Sequence, residues 1–424
     1  MASRRIFDAT PIPGRFTSAA WHPTMPVLLA AKDHGRIVSY TEEGEELAAE
    51  EQAFDLRENL DVDELEESES GEPKKRVRKR PLHVAWSPAV KYRKTSSRED
   101  LDDLREEAAG QYGVVAWSNG TLGIHIAATG RYTVLPLNTV GAPVHLITFH
   151  DDEAPSASPG LVLWAADENG CVSLVDLSPL GTIGADQPDI LQTWSVGPKK
   201  IRRLVPLGPH TCLLLCTDNS LYQLRYVVES ASAEMDQLLT PNTISKHQAP
   251  TIINVFRLSA KERQIAAYLT DHFTLHPFRI DEQHRLQPLP TISLPVTAAP
   301  ASKSLLATSQ RAMQALGEAV LIDEYVLVIN TGTSLKGVDM RGQDEHLLFT
   351  LPFIPDVTQV GPFTGLHYHA ASKTLAMATE NGAVVQWRGR HAPQVPLSRS
   401  WTKLPPVSTG GCIEALAYRT CQSL

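Results

Sequence analysis

The stretch LAMATENGAVVQW, residues 375–387, reads as an apolar run, a polar turn closing on Gly382, and a second apolar run ending in an aromatic residue. Asn381 and Gly382 both tolerate positive φ, and an Asn-Gly turn between apolar runs is the strongest short-range signal of a β-hairpin. The same order of residues recurs around His34-Gly35, Asn119-Gly120 and Asn169-Gly170, with looser copies at 213–226, 265–278 and 326–339. The sequence therefore predicts seven hairpins.

A short strand-like run precedes each of these hairpins. The runs are FTSAAWHP (16–23), LHVAWSP (82–88), VHLITFH (144–150), IRRLVPL (201–207), INVFRLS (253–259), GEAVLID (317–323) and GLHYHAA (365–371). The repeating unit is a strand, a loop, a strand, a turn, a third strand and a looser fourth run. A four-stranded unit at a recurring period is typical of a β-propeller blade.

We therefore predict an all-β fold, a seven-bladed WD40-type β-propeller with long inter-strand insertions. The 424 residues form one predicted domain, 1–424. WD40-type blades run about 40 to 45 residues, and insertions explain the longer average spacing here, because loop-closure entropy grows only slowly with loop length. The predicted blades lie near 16–47, 82–137, 144–196, 201–228, 251–294, 315–350 and 363–419.

A charged segment separates the first two predicted blades. It is acidic from residue 42 and ends in the basic run KKRVRKR, 74–80, and few of its residues could join a core. We assign 48–80 to a mostly disordered acidic and basic insert. The basic run also fits a nuclear import signal or a phosphate-binding patch, although the acidic block beside it could neutralise it.

Further inserts interrupt or separate the predicted blades. Residues 91–111 lie inside the second blade, and Ser97, Leu101 and Leu104 favour a short surface helix there. We predict that the apolar-poor stretches 153–160, 229–250 and 283–312 are loops, the last ending in a possible helical turn.

Composition agrees with a globular chain. Hydrophobic residues make up 42% and charged residues 21%, and 30 prolines and 26 glycines supply turns. No run of 18 apolar residues occurs, which argues against a transmembrane helix, and the N-terminal residues lack the apolar core of a signal peptide. The five cysteines have no zinc spacing. We read Cys212 and Cys216 as buried free thiols, which favours a reducing, cytoplasmic compartment.

No catalytic motif is present, so we predict a protein that is not an enzyme and has no cofactor, catalytic residue or metal site. His272 and His276 have a spacing that suits a metal on a helix, but on a strand they lie about 13 Å apart. His367 and His369 are closer, and they lack a third ligand. Satisfied strand histidines are the favoured interpretation of both pairs.

The densest basic cluster within the predicted blades is GPKKIRR, with Lys199, Lys200, Arg202 and Arg203. These four residues are the candidate partner-binding site, for an acidic protein or a lipid head group. The alternative is a solvated blade edge. The net charge of −9 argues against nucleic acid as the main partner.

Several segments resemble the first propeller of the intraflagellar transport protein 140 family. They are FTSAAWHPTMPVLLAAKDHGRIVSYTEEGEEL (16–47), LHVAWSP (82–88), GEAVLIDEYVLVINTGTSLKGVDMRGQDEHLL (317–348), GLHYHAASKTLAMATENGAVVQWRGR (365–390) and WTKLPPVSTGGCIEALAYR (401–419). Their order also matches that family, over residues 16 to about 419. This chain departs from the family in lacking WD dipeptides, in its weak middle blades at 144–310 and in its long charged insert.

The resemblance implies a core subunit of intraflagellar transport complex A. Such a subunit supports retrograde transport and the import of membrane cargo into cilia and flagella, with the other complex A subunits and tubby-like adaptors as partners. The implied location is the cytoplasm, the cilium or flagellum and the basal body. Family members continue into a second propeller and helical repeats, so we expect this chain to be a fragment of a longer protein.

Two other function classes remain open. One is a WD40 subunit of another coat-like or vesicle-tethering complex. The other is a propeller enzyme of the sialidase or quinoprotein type, which needs convergent acids and arginines that HVAWS, HLITF and HYHAA do not offer. We also predict that the N-terminal run RRIFDATPIP, 4–13, completes the last blade, with IEALAYR, 413–419, as the alternative closing strand.

Overall fold

The structure is a computed structural model in which β-strands account for nearly all regular structure. Its residues fall into two compact units, one within Ile12–Pro198 and the other within Lys199–Leu424. The structure describes residues 16–21, 28–32, 37–40, 79–88, 90–93, 104–107, 112–126, 130–138, 140–150, 161–181, 187–240, 251–258, 264–294, 316–323, 326–331, 335–339, 347–350, 363–369, 373–379, 383–389, 401–403 and 407–408.

The first unit in chain order contains three small antiparallel sheets, which we number as blades 1 to 3. Blade 1 consists of β1 (Phe16–Trp21), β2 (Leu28–Lys32) and β3 (Ile37–Tyr40). Blade 2 consists of β4 (Pro81–Trp86), β7 (Tyr112–Trp117), β8 (Thr121–Ile126) and β9 (Arg131–Pro136), while β5 (Val90–Arg93) and β6 (Leu104–Glu107) pair separately. Blade 3 consists of β10 (Val144–Phe149), β11 (Val162–Asp167), β12 (Cys171–Asp176) and β13 (Asp189–Ser195).

The second unit contains blades 4 to 7. Blade 4 consists of β14 (Ile201–Gly208), β15 (Thr211–Cys216), β16 (Leu221–Val227) and β17 (Ser232–Leu239). Blade 5 consists of β18 (Ile252–Arg257), β19 (Ile265–Thr270), β20 (Thr274–Ile280), β21 (Leu286–Pro288) and β22 (Ile292–Ser293). Blade 6 consists of β23 (Ala319–Asp323), β24 (Val326–Asn330), β25 (Leu335–Asp339) and β26 (Leu347–Thr350). Blade 7 consists of β27 (Phe363–His369), β28 (Thr374–Thr379), β29 (Ala383–Gly389), β30 (Trp401–Lys403) and β31 (Val407–Ser408).

The strands of every blade pair antiparallel, and neighbouring strands mostly follow one another in the chain. The exceptions are the β5–β6 hairpin inserted in blade 2 and the short strands β22 and β31, which pair with β20 and β29. Each run that the sequence marked as a leading strand begins a blade, and each predicted hairpin supplies the next two strands. The prediction of an all-β fold with seven blades is therefore confirmed. The described helical residues are two short 3-10 turns, Ser178–Gly181 and Val228–Ser230, and no helix in the described ranges has the length and apolarity needed to cross a bilayer.

The second strands of the blades carry the deepest burial. All six residues of β7, β11 and β28 are buried, because both faces of the strand are covered. A continuous apolar run is the sequence pattern expected of such a strand. The outermost strands β9 and β17 instead leave several residues exposed, so their sequences lack a strong apolar pattern.

Apolar clusters join consecutive blades within each unit. In the first unit one cluster joins blades 1 and 2, and another joins blades 2 and 3 around Ile124 and Leu163. In the second unit separate clusters join blades 4 and 5, 5 and 6, and 6 and 7. Each blade is thus stabilised chiefly by burial against its neighbours rather than by its own hydrogen-bonded ladder.

In two of the predicted hairpin turns the glycine has the positive φ that the Asn-Gly pattern requires. Gly120 and Gly170 both have φ of +82°, a region that favours glycine. A side chain at Gly120 would also lie 2.7 Å from Asn138 Oδ1 and 2.9 Å from the Ala142 carbonyl. The Asn-Gly prediction holds at these two turns, whereas the turns at 34–35 and 381–382 lie outside the described residues.

Two predictions of local structure are wrong. The helix expected within 91–111 is not formed at Leu104, since β6 pairs antiparallel with β5 in a register that sets Lys91 opposite Glu106. An isolated helix of one or two turns is marginal in water, and a hairpin ladder satisfies more backbone groups. The loops expected over 229–250 and 283–312 contain β17 and the short strands β21 and β22 instead. The sequence failed to mark these strands because an exposed outer strand needs little apolar alternation.

Other predictions fall outside the described residues. These include the N-terminal closing strand at 4–13, the alternative closing strand at 413–419, the helical turn near 303–315, the loop at 153–160 and the insert at 48–78.

Candidate interaction site on the first strands

A β-bulge near the start of the first strand recurs from blade to blade. The register of β4 shifts between Pro81 and His83, and that of β14 shifts between Ile201 and Arg203. Blades 1, 3, 5 and 7 show the same shift in β1, β10, β18 and β27. In blade 6, Gly317 donates to the Asn330 carbonyl at 2.9 Å, and Asn330 donates to the Glu318 carbonyl at 2.8 Å. A bulge sets two residues opposite one and can re-aim a side chain.

Arg202 is the extra residue of the bulge in β14, and its side chain reaches blade 5. Its guanidinium donates to the Ile252 carbonyl at 2.7 Å and to the Ile253 carbonyl at 3.1 Å. Those two carbonyls lie at the bulge of β18, where the ladder is interrupted. Arg202 therefore supplies hydrogen bonds that the distorted ladder does not, and it links the two blades.

The same kind of link recurs between other neighbouring blades. Asn254 donates from Nδ2 to the Gly317 carbonyl at 2.8 Å, joining blades 5 and 6. Glu318 accepts a 3.1 Å hydrogen bond on Oε2 from the Leu366 N–H, joining blades 6 and 7. Ser18 accepts a 3.2 Å hydrogen bond from the Val84 N–H, joining blades 1 and 2. We call these contacts, with those of Arg202, the bulge links.

Glu318 carries the most perturbed carboxyl among these links. Burial raises its pKa to about 7, and the charge of Arg203 and the Leu366 hydrogen bond oppose that rise. Gly317 beside it has φ of +76°, and a side chain there would lie 2.7 Å from Ile253 Cδ1. The backbone that positions Glu318 thus requires glycine, and the carboxyl is held in a poorly hydrated setting near one arginine.

The structure separates the four basic residues that the sequence grouped together. Lys199 forms a 2.9 Å ion pair with Asp218 and donates to the Tyr222 hydroxyl at 3.1 Å and the Ser220 hydroxyl at 3.3 Å. Hydrogen bonds to Asp218 and Tyr222 raise the pKa of Lys199. Its ammonium is therefore already coordinated within blade 4.

Arg202 is likewise engaged, and burial followed by the charge of Arg203 lowers its pKa. Lys200 is exposed, and its carbonyl accepts the Thr217 N–H at 2.9 Å. Arg203 is half-buried within electrostatic reach of Glu318. Of the predicted cluster, Lys200 is the residue best placed to meet a partner from solvent. Its binding role stays a prediction.

Glu318 was not found by sequence reasoning. The statement that first strands offer no acids and arginines rested on the runs of blades 2, 3 and 7, and the runs of blades 4 and 6 do contribute Arg203 and Glu318. The sequence does show a charged residue, Glu318, next to a glycine at the start of a leading strand. Only the pairing of the first two strands of the blade shows that this residue lies in a bulge.

Two histidines, His83 of blade 2 and His145 of blade 3, lie at the register shifts of β4 and β10. Burial and then the charge of His145 lower the pKa of His83 to about 4. The Nδ1 atom of His83 is buried and makes no hydrogen bond to a described residue. The lowered pKa keeps His83 neutral at physiological pH.

Of the predicted strand histidines, His276 lies on β20, whereas His272 lies in the turn between β19 and β20 rather than on a strand. His276 stacks on Tyr268 with ring centroids 4.7 Å apart, and His272 is 73% exposed beside Asp271. Cys212 and Cys216 are buried and free, as predicted, and burial raises the pKa of Cys216 to about 11. Among the described residues, no group of three or more His, Cys, Asp or Glu residues could hold a metal ion.

The end of the basic run 74–80 lies against blade 2. The Lys79 ammonium is 4.6 Å from the centroid of the Trp117 ring, and burial lowers its pKa. Arg80 exchanges two 2.9 Å hydrogen bonds with Ser118, one through its N–H and one through its carbonyl. Lys79 and Arg80, the last two residues of the predicted insert, are thus held against the end of β7, directly before β4 begins.

Comparison with solved structures gives the fold class. The crystal structure of Sqt1 from Saccharomyces cerevisiae aligns with a TM-score of 0.58 and 10% sequence identity, covering 97% of this chain and 90% of that one. No model of a known protein family matches the chain, and no curated protein matches it. At this identity the likeness shows the fold alone.

The blades and this comparison define a WD40-type β-propeller.

Proposed function

We propose that this chain is a non-enzymatic scaffold subunit of intraflagellar transport complex A. The scaffold part of the proposal is supported by seven blades, which apolar clusters and bulge links join within each of the two units. Such an arrangement presents rigid strand edges and turns to other proteins. The assignment to complex A is supported by the resemblance of the segments at 16–47, 317–348 and 365–419 to that family.

In this proposal the chain acts in the cytoplasm, at the basal body and in the cilium or flagellum. It supports retrograde transport and the import of membrane cargo. Its partners are the other complex A subunits, with a tubby-like adaptor and membrane cargo as further ones.

Affinity purification of the full-length product from ciliated or flagellated cells tests this function. Mass spectrometry of the co-purified proteins should recover the other complex A subunits in near-equal amounts. Recovery of coat or tethering subunits instead would favour the alternative, a WD40 subunit of another coat-like or vesicle-tethering complex. Recovery of the tagged chain alone would contradict the scaffold role.

A Lys200→Glu variant in the same experiment examines the remaining candidate site. Lys200 is exposed and its backbone holds the β15–β16 turn, so the substitution changes surface charge with little effect on the fold. Loss of one co-purified protein would assign the basic position to that partner. The matched control is Lys373→Glu, directly before β28 of blade 7, where the lysine is also exposed and the substitution should change nothing.

A further inference from the structure

The outermost strand of blade 4, β17, differs from the other outermost strands. It has eight residues and pairs with β16, and no other described strand lies along its far edge. By contrast β21, β26 and β30 have three, four and three residues. An arginine and a proline bound β9, and a register shift falls within β13. The register shift of β17 lies near its end, between Gln237 and Leu239, and leaves residues 232–237 in regular register with β16. Short length, proline, charge and irregularity are the usual protections of a sheet edge.

The register shows which backbone groups of β17 face outward. The Tyr226 N–H donates to the His210 carbonyl at 2.9 Å, so Arg225 directs its own N–H and carbonyl toward β17. Arg225 pairs with Glu234, and Gln223 pairs with Asp236. The alternation of an antiparallel ladder then turns the N–H and carbonyl groups of Ala233, Met235 and Gln237 away from β16.

The two faces of β17 carry different side chains. Ala233, Met235 and Gln237 share one face and are all exposed, with Met235 43% exposed. The other face carries Glu234 and Asp236, whose side chains are 44% and 41% exposed. An incoming strand would therefore meet a weakly polar face and an acidic face in alternation.

Arg225 is a basic neighbour of the acidic face, and it is already engaged. Arg225 forms ion pairs with Glu234 and, at 3.5 Å, with Asp236. It also contacts His284 Nε2 from blade 5. Glu229 adds a further carboxylate at the preceding turn.

We infer that β17 docks an extended segment of a partner protein, in which basic residues alternate with apolar ones. The partner strand would pair with the backbone of Ala233, Met235 and Gln237. Its lysines or arginines would lie over Glu234 and Asp236, and its apolar side chains would cover Met235. Strand addition of this kind takes affinity from the backbone and specificity from alternate side chains. The inference rests on the proposed scaffold function and names the chemistry of one partner.

Proline at position 235 gives a selective test. The Met235 N–H points away from β16, so Met235→Pro removes an outward donor while leaving the β16–β17 ladder intact, and edge strands tolerate proline. Met235→Thr keeps the N–H and serves as the matched control. Circular dichroism and thermal unfolding establish that both variants of the full chain are folded. If Met235→Pro is unfolded, Ala233→Pro replaces it. The double variant Ala233→Lys with Gln237→Lys keeps every backbone N–H and adds only charge repulsion against a basic partner.

The probe is a fluorescein-labelled, N-acetylated peptide in which three lysines alternate with valines between terminal threonines. Its counterpart carries glutamate in place of each lysine. Fluorescence polarisation at 0.15 M salt should show the lysine peptide binding at least tenfold more tightly than the glutamate peptide. Met235→Pro should weaken lysine-peptide binding at least tenfold, and Met235→Thr should change it less than twofold.

Equal binding of the lysine peptide to wild type and Met235→Pro would overturn the docking edge. Equal binding of the two peptides would overturn the basic partner. Sedimentation that shows a dimer abolished by Met235→Pro would assign the edge to a second copy of this chain instead. If the purification recovers complex A subunits but the peptide does not bind, the proposed function stands and this inference is refuted.

Discussion

The contacts between blades 2 and 3 and between blades 6 and 7 both involve a β-bulge, but one places a basic imidazole there and the other an acidic carboxyl. In both, a bulge near the start of a first strand turns a polar side chain toward the next blade. His83 is a neutral imidazole within electrostatic reach of His145, whereas Glu318 is a carboxyl that accepts a backbone N–H beside Arg203. Burial lowers the pKa of the base and raises that of the acid. Buried polar residues at these bulges can therefore favour or oppose stability as pH rises.

The largest effect should come from the strongest bulge link. Arg202→Met removes two hydrogen bonds from a charged donor and leaves the Ile252 and Ile253 carbonyls without them. We expect a loss of about 3 kcal/mol in the free energy of unfolding of the second unit. Urea unfolding and amide exchange at 252–257 measure it. A loss below about 0.5 kcal/mol would mean that these carbonyls are satisfied by water.

His83→Leu should remove part of the loss in the free energy of unfolding that the wild type shows at acid pH. A folded pKa of about 4, against 6.5 for an exposed imidazole, means that the unfolded chain binds the proton more readily. The wild type thus keeps its full stability above pH 6.5 and loses it as pH falls toward 4. We expect the loss to reach about 2 kcal/mol at pH 5 and to be absent in the variant.

The matched control is His272→Asn, since His272 is 73% exposed. Thermal unfolding from pH 7.5 to 4.5 should give the same profile for this control as for the wild type. An unchanged profile for His83→Leu would show that the imidazole is hydrated.

Glu318→Gln should have a smaller effect of opposite sign. The folded pKa of about 7 exceeds the 4.5 of an exposed glutamate, so the folded state binds the proton more readily. The associated stability is present below pH 4.5 and is lost as pH rises through 7. Glutamine keeps an acceptor for the Leu366 N–H without the charge. We expect it to stabilise the protein by about 1 kcal/mol at pH 8 and by little at pH 5.

Urea unfolding at the two pH values measures this difference. Destabilisation by Glu318→Gln at pH 8 would show that the Arg203 charge outweighs the cost of burial.

The smallest effect should come from Lys199, which contrasts with Arg202 three residues later. Lys199 and Asp218 are 31% and 33% exposed, so water screens the ion pair. We expect Lys199→Met to cost about 0.5 kcal/mol, and 1 M salt to remove most of the difference. A cost like that of Arg202→Met would show that the Ser220 and Tyr222 hydrogen bonds are important for blade 4.

Hairpins with buried second strands could be predicted from sequence, and outer strands could not. LAMATENGAVVQW marks its own turn and its own apolar runs, so β28 and β29 follow from local pattern. Ser232–Leu239 carries two acids and a methionine, and it becomes a strand because β16 offers a free edge. The same limit applies to β6, where pairing with β5 overrides the weak helical pattern at Leu104.

The candidate site was only partly predictable for a related reason. A cluster of basic letters at 199–203 is visible in the sequence, but alternation on a bulged strand sends neighbouring residues in different directions. Lys199 turns to Asp218, Arg202 to blade 5 and Arg203 toward Glu318. Glu318 itself is more than a hundred residues away along the chain, and no local pattern connects it to Arg203.

By itself the sequence determined the number of blades, the hairpins within them and the burial of their second strands, because period and turn chemistry are local properties. The tertiary structure decided which charges are paired, which titratable groups are buried and which strand edge is open. Those properties depend on desolvation and on backbone register between segments distant in the chain.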